Sequence, residues 1–322
     1  MDLRISLALA AVLSAGAAWA DARSDAITAF EARQDREALA QFEALARTAP
    51  DDAELQSYLG RARLRGGQVD AGVAALERAV ELAPASSPYR LSLAGGLGQQ
   101  INQVGMFRKM SLAGKVREHM EKAVELAPES VAAREALMQY YAQAPGIAGG
   151  DMKLARKQAD VVMPLNVSAG LRMQAILAGF EKKKDAEVIA AWEKAVASDD
   201  AEGRSRFAYQ LYLQGLKKWD AAFAQLEALA KLKPDAPGVK YQFGRAAALS
   251  GQRIAEGEAA LKSFLETGPK ADSDPGRDAA HWRLGMLYEK AGRKDDARAQ
   301  YQASLRENPQ FAQAREALDD LD

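Results

Sequence analysis

The sequence predicts an all-α solenoid of about eight helical hairpins closed by a C-terminal helix, and three observations lead there. Prolines recur on one period: Pro50 and Pro84 lie 34 residues apart, Pro84 and Pro128 44, Pro128 and Pro164 36, Pro234 and Pro269 35, with 70 from Pro164 to Pro234. Each period also carries the same text: a helical apolar pattern, a polar turn, a second helical pattern, then proline. Proline closes each unit because its ring bars the preceding residue from the α region. Finally, the composition is that of a soluble globular chain, 48% hydrophobic and 27% charged. A lone hairpin of this size leaves two apolar faces open, so neighbours must stack.

The elements follow in chain order. Residues 1–20 read as a signal peptide: Arg4 precedes an apolar run from Ile5 to Ala15, and Ala18-Trp19-Ala20 supplies the small-x-small cleavage pattern. That run is shorter than the ~20 residues a spanning helix needs. Cleavage, a periplasmic or secreted location and no membrane anchor afterwards are therefore expected. The repeat array occupies 21–309. Its second unit carries Leu59, Gly60, Gly67, Gly72, Leu76, Ala79 and Pro84; its last carries Leu284, Gly285, Tyr288, Gly292, Ala297, Tyr301 and Pro309. Phe243-Gly244 with Gly251 and Leu261, and Trp219 with Ala222 and Leu226, keep the same register. One unit has lost its proline, with Asp200 standing in the place that Trp192 and Ala195 mark for it.

Two units depart from the period. The third holds ten extra residues around Ile101 to Ala113, where Met106, Met110 and Ala113 recur at helical spacing with Arg108, Lys109, Lys115 and Arg117 interleaved. A lengthened hairpin over about 88–127 is expected there, either packed or presented to a partner. The fourth holds two extra residues within Ala144 to Gly150, whose Pro-Gly and Gly-Gly pairs mark a loop. Residues 310–322 form the cap, with Gln310 to Leu321 an amphipathic helix.

These residues resemble the tetratricopeptide repeat, whose pattern is Leu-Gly-x-x-Tyr, then Ala, an aromatic or Leu, Ala and finally Pro. The resemblance implies a right-handed α-solenoid in which the first helix of every unit lines a concave groove. It also implies a scaffold or adaptor that binds a protein partner, of an identity no residue specifies. In that geometry Met173, Phe207 and Tyr241, spaced 34 and 34, form a ladder that Trp282 continues 41 residues on, flanked by Arg204 and Arg245. Upstream the equivalent places hold Ser57, Leu91 and Glu135, so the groove turns aromatic toward the C-terminus. Aromatic residues and Arg are favoured interface anchors. Such a stripe can instead pack between neighbouring first helices, and exposure separates the two roles. The Lys, Asn and Arg clamp of chaperone-binding relatives is not found, Arg61 being an isolated echo. Two alternatives stay open: a small-molecule or glycan site in a closed aromatic pocket, and a structural homo-oligomer.

Other function classes are disfavoured by composition. The 43 basic residues offset 44 acidic ones for a net charge of -1, without the basic excess of a general nucleic-acid binder. With no Cys, disulfides and thiolate chemistry are impossible. His119 and His281 lack partners at metal-ligand spacing. Gly96-Leu97-Gly98 lacks the third glycine of a dinucleotide fingerprint, and in Gly114-Lys115-Val116 a valine replaces the Ser or Thr of a phosphate loop. Acidic pairs such as Asp51-Asp52 and Asp295-Asp296 fall at helix starts, where the dipole favours negative charge. No enzymatic role, metal or cofactor is expected.

Overall fold

The computed structural model describes residues 19–198, 202–267 and 275–321, and among these the chain is helical with one short 3₁₀ turn and no strand. The expected signal peptide lies almost wholly outside them, as do Asp200 and Pro269; Trp19 and Ala20 open the first described helix. Two compact units divide the chain after Met152.

The first unit contains α1 (19–31), α2 (Asp35–Thr48), α3 (Ala53–Arg65), α4 (Val69–Leu82), α5 (Ser87–Ile101), α6 (Met106–Leu126) and α7 (Val131–Gln143), then a 3₁₀ turn over Gly146–Ala148. Helices pair as α3 with α4 and α5 with α6, and each hairpin leans on the next through α4 against α5 and α3 against α5. Phe30 of α1, Phe42 of α2 and Tyr58 of α3 meet with ring centroids 5.1 to 6.1 Å apart, so α1 and α2 share their core with the following hairpin. Trp19 packs on this cluster.

The second unit contains α8 (Met152–Leu165), α9 (Val167–Phe180), α10 (Asp185–Ala197), α11 (Arg204–Gly215), α12 (Trp219–Leu232), α13 (Pro237–Ser250), α14 (Ile254–Thr267), α15 (Arg277–Lys290), α16 (Lys294–Glu307) and α17 (Ala312–Asp319). Hairpins α9–α10, α11–α12, α13–α14 and α15–α16 stack consecutively, and α17 lies on α16. Leu321 and Ala314 are buried there, so the C-terminal segment closes the last apolar face.

Local chemistry accounts for the period. Ala49, Ala83, Ala127 and Lys233 each precede a proline, and all four adopt φ between -136 and -138° with ψ between 68 and 77°. The Pro ring forces this extended turn, the same way each time. Asn308 before Pro309 is more extended, at φ -142° and ψ 96°, and Pro164 breaks the pattern: α8 runs through it to Leu165, with the proline in its last turn. The glycine after Leu284 is a packing requirement, since a Cβ on Gly285 would stand 2.2 Å from Cε1 of Tyr301 on the partner helix. The extra residues of the third unit go chiefly into α6, which has 21 residues where α2, α4 and α12 have 14.

Candidate functional site

The structure separates the six residues expected to contact a partner. Met173 of α9 is 0% exposed and Tyr241 of α13 is 6% exposed, so both belong to the interior and neither lines a groove. The reason is rotational: the Tyr241 ring turns toward the second helix of its own hairpin, where its centroid lies 5.5 Å from that of Phe264. Phe207 is half-buried and rests on α13, with Cε2 3.9 Å from where a Gly238 side chain would begin. Trp282 is half-buried and meets Phe311 edge-on at 5.6 Å, beside the capping segment. Arg204, at the start of α11, is exposed and bonds Glu202 at 2.8 Å.

Arg245 sits elsewhere, in a polar chain running from α11 to α15. Gln214 Nε2 donates to Gln210 Oε1, and Arg245 Nη1 donates to Gln214 Oε1. Gln210 is 0% exposed, with Nε2 unpartnered among the described residues. It occupies the position that Gly244 and Gly285 hold in later repeats, and that substitution was visible in the sequence. Next to Arg245 comes Arg283, which the sequence reading missed. Its guanidinium carbon lies 3.9 Å from the Trp282 ring centroid, Nη1 is 3.2 Å from Met286 Sδ, and Nε is buried without a hydrogen-bond partner. Burial pulls its pKa below the usual arginine value and the charge of Arg245 adds to that pull, while Tyr241 opposes it. Among the described residues, no carboxylate pairs with Arg245 or Arg283. The arrangement is a half-buried cationic centre beside Trp282, backed from the interior by Tyr241, and suited to receiving an anion.

His119 Nδ1 lies 3.5 Å from Arg90, and burial with that neighbouring charge lowers its pKa; His281 Nδ1 lies 2.8 Å from Gln300 Oε1. No cluster of three His, Asp or Glu able to hold a metal occurs among the described residues. A cleft of about 670 Å³ between α8, α9 and α10 is walled by Ala159, Leu177 and Ala178, and by Glu181 with its partners Arg156 and Lys183. Among the described residues no ring lines it, so the aromatic walls expected of a glycan pocket are not seen there. Among the described residues, no helix is long and apolar enough to cross a membrane.

Stacked helical hairpins with a recurrent Leu-Gly and proline define the class, a helical repeat protein. Residues 25–87 and 278–311 match tetratricopeptide repeat family models, so these two segments are similar to tetratricopeptide repeats. The fold is similar to a tetratricopeptide repeat protein from Parabacteroides merdae, at 11% identity over 94% of this chain and 98% of that one with a TM-score of 0.43. It is also similar to a chain of the APC/C hetero-tetramer Cut9-Hcn1, at 12% identity over 93% of this chain and 55% of that one with a TM-score of 0.50. This chain thus spans about half of that second protein, and the likeness concerns the fold. No protein of curated function matches the sequence.

Proposed function

We propose that this chain is an exported adaptor whose first helices in the second unit grip an acidic segment of a partner protein. Tetratricopeptide repeats generally mediate protein–protein contacts, which supports the class of function. The observation that carries the reading is Arg283 beside Arg245, two half-buried cations with no carboxylate opposite them among the described residues. Like charges held in a partly desolvated site cost free energy until a counter-charge arrives, and a partner carboxylate would supply it through charge-assisted hydrogen bonds. Phe207 and Trp282 offer the neighbouring apolar contacts. The role is non-catalytic and uses no cofactor. Residues 1–20 direct export in this reading, so the protein isolated from its own cells should begin at Asp21; finding Met1 intact there would remove that part.

Crosslinked affinity capture tests the binding site. The wild-type chain and an Arg245→Gln, Arg283→Gln double variant serve as baits, with helical content compared by circular dichroism. Truncating buried charge pairs costs interfaces about 2–5 kcal/mol, so recovery of the partner should fall by roughly thirtyfold or more. Equal recovery by a folded double variant would overturn the assignment.

A further inference from the structure

We infer that the start of α6 and the neighbouring 3₁₀ turn form a docking tip for an anionic lipid bilayer. Phe107 is 96% exposed and Met106 73% exposed, consecutive residues in the first turn of a 21-residue helix. Ile147, in the 3₁₀ turn, is 84% exposed. The two segments are adjacent: the Tyr140 hydroxyl lies 2.8 Å from the Ala113 carbonyl oxygen of α6 and 2.6 Å from that of Ala148. Met106, Met110 and Ala113 share one helical stripe, so Met106 stands about 10 Å further along the axis from that junction. Three large apolar side chains on two adjoining segments of the first unit are therefore exposed to solvent.

Their electrostatic setting selects the occupant. Residues 91–117 contain Arg108, Lys109, Lys115 and Arg117 and no acidic residue, and 136–150 contain no charge at all, in a chain whose net charge is -1. Arg117 is tied to Glu121 at 3.7 Å. Arg108, Lys109 and Lys115 have no ion-pair partner among the described residues. Asp70 and Glu77 line a cleft with Arg108 and Lys115 and offset part of that charge, without an ion pair to either; Asp70 accepts from Gln100 Nε2. Apolar side chains flanked by lysine and arginine are complementary to a headgroup layer: the rings and thioethers enter the acyl boundary while the cations stay at the phosphates. A projecting tip needs no matching pocket on a bilayer, whereas a protein partner would have to provide one.

The absence of cysteine makes the test site-specific. Ser111→Cys, one turn from Phe107 on its exposed side, and Glu129→Cys, beyond the far end of α6, each carry an environment-sensitive fluorophore in the full chain. Vesicles are phosphatidylcholine with and without about 30% phosphatidylglycerol, chosen because each basic residue near an anionic surface contributes appreciably to binding. The expected result is a blue shift and rise in emission at position 111 alone, on the anionic vesicles alone. At about 1 kcal/mol per basic residue, Arg108→Glu with Lys109→Glu should weaken partitioning on the order of twenty-fold or more. Phe107→Ser should weaken it about tenfold. An unshifted label at 111 on anionic vesicles, an equal shift on neutral ones, or unchanged binding by the folded Phe107→Ser variant overturns the proposal. So does concentration-dependent self-association that Phe107→Ser abolishes, which would give the tip to a second copy.

Discussion

Replacing Gly285 by alanine should force apart the two helices of the last hairpin. The new Cβ would lie 2.2 Å from Tyr301 Cε1 and 2.6 Å from Cδ1, and Tyr301 is fully buried with its hydroxyl bonded to Glu289. Carbon atoms prefer about 3.5–4.0 Å, so α15 and α16 must separate by more than about 1 Å or the ring must leave its rotamer. Overpacking costs about 1–3 kcal/mol and an approach this close falls in the upper half of that range, offset by the about 0.5–1 kcal/mol that alanine gains over glycine inside a helix. Net destabilisation of about 1–2 kcal/mol follows, a drop of roughly 2–8 °C in melting temperature for a unit of this size. Gly95 is the control: it lies within α5 with nothing inside 4 Å of an added Cβ, so Gly95→Ala should stabilise by about 0.5–1 kcal/mol. Urea unfolding followed by circular dichroism measures both. If Gly285→Ala is neutral or stabilising, or the two variants share a sign, the close approach of helices at the Leu-Gly position is not what demands glycine.

Two further outcomes follow from the same reasoning. Lys217 joins α11 to α12 at φ 56°, a left-handed conformation that glycine fills in the equivalent turns at Gly67 and Gly292. Lys217→Gly should raise the unfolding free energy by about 0.5–1 kcal/mol, since the strain relieved exceeds the added backbone entropy; a loss of stability would contradict it. Burial and the adjacent Arg90 hold His119 below its ordinary pKa of 6.5, so the unfolded chain binds the extra proton first. Its contribution to stability is therefore complete above pH 6.5 and is lost as pH falls through the depressed folded value. Stability of His119→Gln, measured by denaturation across that window, should fall less on acidification than that of the wild type.

The sequence by itself determined the repeat, because its signals are local. A proline restricts the residue before it whatever the neighbours do, hence the matching backbone angles at Ala49, Ala83, Ala127 and Lys233. Apolar residues at helical spacing likewise announced the lengthened α6 and the C-terminal helix. Exposure along the first helices was not legible in the same way. Met173, Phe207 and Tyr241 occupy one register position, yet two are buried and one is half-exposed, since burial depends on the helix opposite and on small differences in rotation. Tertiary structure alone brought Arg283 near Arg245 across 38 residues of chain, and set both in a place without a countercharge among the described residues. That proximity arises from the stacking of α13 on α15, which no periodicity within either helix encodes. The residues that carry the proposed recognition were readable as types in the sequence, but their charge environment exists only once the hairpins are packed.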